Sequence, residues 1–227
     1  MTGIDLELDS EQALLRDTVR DFVAREVAPL AAERDRDAAF PESELRAAAE
    51  LGLCGLMIDE DYGGNPVGTL GAALVYEEVA KASPAVSVTL SVHNSLVSTA
   101  IGRYGSPELK QAYLPRLASG EILGAYALTE PGSGSDAASI STTAGAVDGG
   151  YRLNGRKVFV TNGGHAGAYV VFAVTDPAAR TSKRISAFLV DRDSEGLSVP
   201  RKERKLGLRA SEIVELTFTD CFVPSEH

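Results

Sequence analysis

The chain has 227 residues, 44% of them hydrophobic and 24% charged, the make-up of a folded chain with one large or two modest domains and not of a disordered one. Its 22 basic and 32 acidic residues leave a formal net charge of −10, which argues against nucleic acid as the main partner, and two cysteines are too few for a disulfide scaffold. No stretch reaches the roughly 18 apolar residues that span a bilayer, and Met1-Thr2-Gly3-Ile4-Asp5 has neither a basic nor an apolar secretory pattern, so a soluble cytoplasmic protein is expected.

The first half reads as helices. Asp9-Ser10-Glu11-Gln12 offers a cap with a partner three residues on, followed by Leu15, Val19, Phe22, Val23, Val27 and Leu30 at helical spacing. Pro41 suits the first turn of a second helix ending near Gly52. A third runs from Leu70 past Val79 until Pro84 stops it, and Ser106-Pro107-Glu108 opens another carrying Leu109, Tyr113, Leu114 and Leu117. Between these, Val86, Val88, Leu90 and Val92 alternate at period two, which by pattern alone predicts a strand. Cys54, inside Leu53-Cys54-Gly55-Leu56, reads as a buried free thiol of a reducing compartment.

After about Gly120 short β-branched runs take over, at 124–128, 151–153, 157–161, 169–174, 185–190 and 214–218. Asp148-Gly149-Gly150, Asn154-Gly155, Asn162-Gly163-Gly164 and Asp176-Pro177 supply turn chemistry between them. The expected organisation is therefore α+β: an all-α domain at 1–120, then a mainly antiparallel β-barrel or sandwich domain at 121–227.

The densest chemical signal is Ala127-Leu128-Thr129-Glu130-Pro131-Gly132-Ser133-Gly134-Ser135-Asp136. Gly132, Gly134 and Ala137 fit a dinucleotide fingerprint, but that site needs a helix opening at the glycines. The hydroxyl-rich, β-branched Ser139-Ile140-Ser141-Thr142-Thr143 follows instead, with no βαβ unit. A plain surface turn is one reading. The other is an anion loop, since two glycines bare backbone N–H groups and Ser133 and Ser135 add hydroxyls. Downstream, Phe159 and Thr161 stand two apart in Lys157-Val158-Phe159-Val160-Thr161-Asn162-Gly163, so in a strand they share a face and would suit a flat heteroaromatic ring. On spacing alone, a buried Phe and a satisfied Thr inside a barrel is the simpler reading.

These segments, with Asn154-Gly155-Arg156 before Lys157, Ile185-Ser186-Ala187-Phe188-Leu189-Val190, and Lys205-Leu206-Gly207-Leu208-Arg209-Ala210-Ser211, resemble the acyl-CoA dehydrogenase family of flavoenzymes in the family's own order. Tyr104-Gly105-Ser106 and Tyr113-Leu114-Pro115 agree. Ser91-Val92-His93-Asn94-Ser95-Leu96, Ser141-Thr142-Thr143-Ala144 and Phe218-Thr219-Asp220-Cys221 look most like the short-chain, butyryl-CoA members.

The resemblance makes segment 86–92 helical. It implies FAD against the middle β domain, held by Tyr126, Leu128, Thr129, Gly134, Ser135, Phe159, Val160 and Thr161, with Thr161 near flavin N5 and Phe159 replacing a usual Trp. Ser135 would also meet the acyl-CoA substrate's phosphate arm or the cofactor pyrophosphate, and Ser182-Lys183-Arg184 lies where some relatives touch the CoA nucleotide. The implied reaction is α,β-dehydrogenation of an acyl-CoA thioester in fatty acid β-oxidation, with an electron-transferring flavoprotein as acceptor and a homotetramer as assembly. An acyl-CoA oxidase on the same scaffold, or a non-catalytic binding or assembly subunit, is the alternative.

The family's catalytic carboxylate comes from a C-terminal helical bundle that these residues do not include. No catalytic residue is therefore expected in this chain, and 1–227 alone is expected to be inactive. Glu77, Glu78 and Glu130 read as solvated or structural, His93 as a core or cavity-wall residue, and Arg201-Lys202-Glu203-Arg204-Lys205 as a solvated face. No metal site is expected. Ser211-Glu212-Ile213 departs from the family's usual hydroxyl-rich sequence.

Overall fold

A computed structural model describes residues 7–227, without the side chains of Thr181 and Ser182; the reading of Met1 to Asp5 lies outside it. The Asp9 carboxylate accepts the Gln12 N–H at 2.8 Å while the Gln12 side chain accepts the Asp9 N–H, and this reciprocal cap starts α1 (Ser10–Phe22). The helix runs on through a wider turn, Val23–Val27, into α2 (Ala28–Asp37), where Ala38 at φ 51° ends it. Helix α3 (Glu42–Glu50) has Pro41 as its cap residue, one position before the expected first turn. Helix α4 (Gly68–Ala82) stops at Ser83, whose hydroxyl caps α5 (Pro84–Ser91) by accepting the Val86 N–H. A π-helical stretch, Val92–Ser98, and α6 (Thr99–Tyr104) follow, and the Ser106 hydroxyl caps α7 (Pro107–Ala118).

The period-two run Val86–Val92 is thus helical and not a strand. Ala85, Val86, Ser87, Thr89 and Leu90 are all buried, so α5 has no polar face to print a helical period on the sequence.

Seven strands follow: β1 (Leu123–Ala127), β2 (Thr143–Val147), β3 (Gly150–Thr161), β4 (Ala166–Val174), β5 (Ile185–Asp191), β6 (Leu197–Lys202) and β7 (Ile213–Pro224). They form one curled sheet in the order β1-β4-β2-β3-β7-β6, with β5 also on β4. Pairings β2–β3, β3–β7, β4–β5 and β6–β7 are antiparallel, whereas β4 takes both β1 and the start of β2 in parallel. The expected barrel or sandwich is therefore an open half-barrel with some parallel pairing. Asp148-Gly149 turns the β2–β3 hairpin as read. Asn154-Gly155 does not turn: β7 pairs on both sides of it and carries one residue more there, with Asp220 at φ 49°, so Gly155, at φ 151°, lies opposite a bulge of β7.

Ile101, Tyr113, Leu114 and Leu117 of the helices pack on Ala168, Val170 and Leu189 of the sheet. His93, fully buried, ties the same joint. Its Nδ1 accepts the Gly124 N–H at 3.1 Å, so its Nε2 carries the proton and donates to the carbonyls of Cys54 and Leu117, both at 3.1 Å. Burial holds it neutral, lowering its pKa from 6.5 to about 4. A depressed histidine pKa makes stability complete above pH 6.5 and lost as pH falls toward 4, with about 2 kcal/mol gone by pH 5. Urea titrations at pH 7 and pH 5 check this: wild type should lose that stability and His93→Gln should lose clearly less. Equal losses would contradict the assignment. Both cysteines are free and buried, with thiols pushed up to about 12 at Cys54 and about 11 at Cys221.

Candidate functional site

The two long motifs meet at the end of β1. The Val158 N–H donates to the Thr129 carbonyl at 2.8 Å, and Lys157 Nζ donates to the Leu128 carbonyl at 3.0 Å and to Glu130 Oε1 at 2.8 Å. Residues 128–130 therefore run beside residues 157–159, although 27 positions separate Glu130 from Lys157.

From Lys157 to Val160, β3 holds one residue more than the facing stretch of β7, and Phe159 takes the bulge at φ 58°. Left-handed backbone in a bulky aromatic residue is strained and marks a place where something besides folding sets the geometry. The turn lifts the Phe159 ring out to 64% exposure while Val158 and Val160 stay in the core. The buried-Phe reading is thereby overturned. Thr161, two residues on, is half-buried, as is Thr129. Among the described residues, neither threonine hydroxyl has a hydrogen-bond partner.

The adjoining loop is folded tightly at its root and open at its tip. Glu130 and Ser133 exchange backbone hydrogen bonds, and the Ser133 hydroxyl is spent on the Asp136 carbonyl at 2.6 Å. Gly132, Gly134 and Ser135 are exposed, and a Cβ placed on either glycine would meet nothing within 4 Å. Only a 3₁₀ turn, Ala137–Ser139, follows, so no helix opens at the glycines and the dinucleotide fingerprint fails.

Of the remaining expected residues, Tyr126 tilts against Phe172, with ring centroids 5.1 Å apart, in a neighbouring cleft of about 820 Å³. Leu96, Thr99, Tyr104 and Leu189 line the same cleft. Ser182 is on the short helix α8 (Thr181–Arg184); its side chain lies outside the described ones. Arg201, Lys202 and Arg204 are exposed as expected, but the Lys205 ammonium turns inward to the carbonyls of Leu208 and Ser211.

The carboxylates have structural partners. Glu78 is buried between Arg20 at 3.0 Å and Lys81 at 2.8 Å; burial raises its pKa, and the two cations more than reverse that. Exposed Glu77 pairs with Lys81. Glu130, 4% exposed, accepts from Lys157 Nζ, the Ser141 N–H and hydroxyl, and the Thr142 N–H. Burial pushes its pKa up, but these donors outweigh it and hold the carboxylate at about 2. Sequence reasoning missed this cluster, because no local pattern links residues 130, 141 and 157.

Comparison with known proteins accounts for both halves. Residues 9–121 match the family model described as acyl-CoA dehydrogenase, N-terminal domain, and residues 125–221 match the middle domain. The short-chain specific acyl-CoA dehydrogenase of Clostridium acetobutylicum is 41% identical over 224 residues, covering 99% of this chain and 59% of that protein. Butyryl-CoA dehydrogenase from Megasphaera elsdenii superposes with a TM-score of 0.93 at 36% identity, over 98% of this chain and 59% of the other. A chain solved in work on the electron transferring flavoprotein of Acidaminococcus fermentans superposes at 0.94 with 38% identity, over 98% and 58%. The chain thus spans somewhat over half the length of these relatives. It belongs to the acyl-CoA dehydrogenase family, of which it holds the N-terminal and middle domains.

Proposed function

We propose that this chain forms the FAD-binding wall and part of the acyl cleft of an enzyme that dehydrogenates short acyl-CoA thioesters between the α and β carbons. Family members are FAD flavoproteins. The observation that carries the proposal is the left-handed, outward Phe159 beside two uncommitted threonine hydroxyls. The donor set fits the cofactor: an aromatic face for the ring system, Thr129 and Thr161 for its polar edge, and open amides at Gly132 and Gly134 with Ser135 for the pyrophosphate. Bound FAD would supply the hydride acceptor.

The chain's own part is to bind and orient. Thr161 and Thr129 would hold the cofactor's polar edge through their free hydroxyls, and donors fixed in advance at such an edge lower a barrier without reorganisation. Leu96, Thr99, Tyr126 and Phe172 offer a largely apolar cleft from which an acyl chain displaces water. The family resemblance further supports, as proposals, an electron-transferring flavoprotein as acceptor and a homotetramer; the change of sequence texture near Gly120 supports separate units at 1–120 and 121–227, and the sequence pattern alone is the ground for proposing cytoplasmic residence.

Two measurements on the full-length protein test the reading. Thr161→Ala should slow single-turnover flavin reduction about three- to tenfold with FAD still bound, the loss of one hydrogen bond. An unchanged rate would contradict the assignment of Thr161. For substrate, kcat/KM for butyryl-CoA should exceed that for octanoyl-CoA by at least about tenfold, since each methylene in a fitted pocket discriminates by roughly 1–3 kcal/mol. A preference for octanoyl-CoA would refute the short-chain proposal.

A further inference from the structure

The Glu130–Lys157 pair lies directly beneath the exposed wall. Lys157 is 0% exposed and Glu130 4%, so both ions have left water. Burying two charges costs more than a well-packed apolar pair of the same volume, and core stability alone does not explain it. What the pair does is join backbone. Lys157 holds the Leu128 carbonyl at the end of β1, and Glu130 holds the N–H groups of Ser141 and Thr142, just before β2. Three segments distant in sequence converge on one ion pair. Its immediate neighbours are the groups left uncommitted: Thr129 adjoins Glu130, and Phe159 is two residues past Lys157.

We propose that Glu130 and Lys157 are positioning residues that lock the Thr129 strand end to the Phe159 bulge, so that the two threonine hydroxyls and the aromatic ring form one rigid wall. The proposal rests on the flavin reading of that wall. The Val158 N–H to Thr129 carbonyl bond fixes the spacing of the two segments along the chain. The ion pair fixes their depth, because a carboxylate accepting four hydrogen bonds and an ammonium facing two oxygens have few alternative placements. Neither residue touches the ring itself.

The test uses the full-length protein with added FAD. Wild type is titrated first: absence of flavin binding would overturn the wall itself, and with it this proposal, before any variant is made. Given binding, Glu130→Gln keeps the side-chain volume but turns a four-acceptor site into one carrying an N–H₂ group. It should weaken FAD binding about tenfold or more. It should also change the visible circular dichroism of the flavin at saturation and speed amide exchange at Ser141 and Thr142 in the apoprotein. Lys157→Met, severing the pair from the other side, should give the same signature, and if it fails to fold Glu130→Gln decides alone. The control is Arg34→Met, which breaks the partly buried Arg34–Glu44 pair at 2.9 Å in the helical part. It should lower the melting temperature and leave flavin affinity and dichroism unchanged. If Glu130→Gln behaves like that control, the pair is structural only and the proposal falls.

Discussion

Residues 1–227 alone, mixed with excess FAD and butyryl-CoA without oxygen, are expected to leave the oxidised-flavin absorbance unchanged on a timescale where the full-length protein bleaches it. Loss of α-proton and β-hydride needs a carboxylate on one side of the acyl chain and a hydride acceptor, which bound FAD would supply, on the other, with geometry deciding before pKa. The three carboxylates weighed for that role do not qualify. Glu130 and Glu78 are buried in ion pairs and held ionised by their partners, and Glu77 is exposed beside Lys81. The rate should fall by at least about a thousandfold, the scale of a lost general base together with lost orientation. Bleaching near the full-length rate would place a base within these residues and overturn the structural reading of the glutamates.

Gly155→Ala is expected to destabilise the fold by about 2–4 kcal/mol, through backbone strain and overpacking together. At φ 151° the position is one that L side chains rarely adopt. A Cβ there would come within 2.8 Å of the Thr142 Cα, which is backbone and cannot swing aside. Thr142 is also held by Glu130 through its N–H, so the strain passes into the cluster beneath the proposed wall. Gly132→Ala is the contrast, with no positive φ and open space around its Cβ, and should change stability little. Thermal unfolding of the two variants checks both. Equal melting temperatures would show that β3 yields at Gly155.

The features legible in the sequence are those whose cause is local. The Asp9/Gln12 cap, the Ser106 cap and the Asp148-Gly149 hairpin each need only a few consecutive residues to form. Segment 86–92 was not legible from its pattern, because burial on every side erased the helical period; only the resemblance made it a helix. Asn154-Gly155 has the composition of a turn but lies within β3 opposite a bulge of β7, which runs along both of its flanks. The site divides in the same way. The resemblance named the residues of the proposed wall, and period two led to the expectation that Phe159 and Thr161 share a side. The left-handed turn that exposes Phe159 and the Glu130–Lys157 pair beneath it arise from contacts across 27 or more positions, which no window of sequence displays.

The central claim is the proposal that Phe159, Thr129 and Thr161 form a wall for FAD in an acyl-CoA dehydrogenase. Anaerobic titration of the purified full-length protein with butyryl-CoA, following the visible flavin spectrum, tests it most directly. The expected result is a yellow protein whose oxidised bands bleach as butyryl-CoA is added. A protein that stays colourless with excess FAD, or a bound flavin that neither butyryl-CoA nor octanoyl-CoA bleaches, would contradict it.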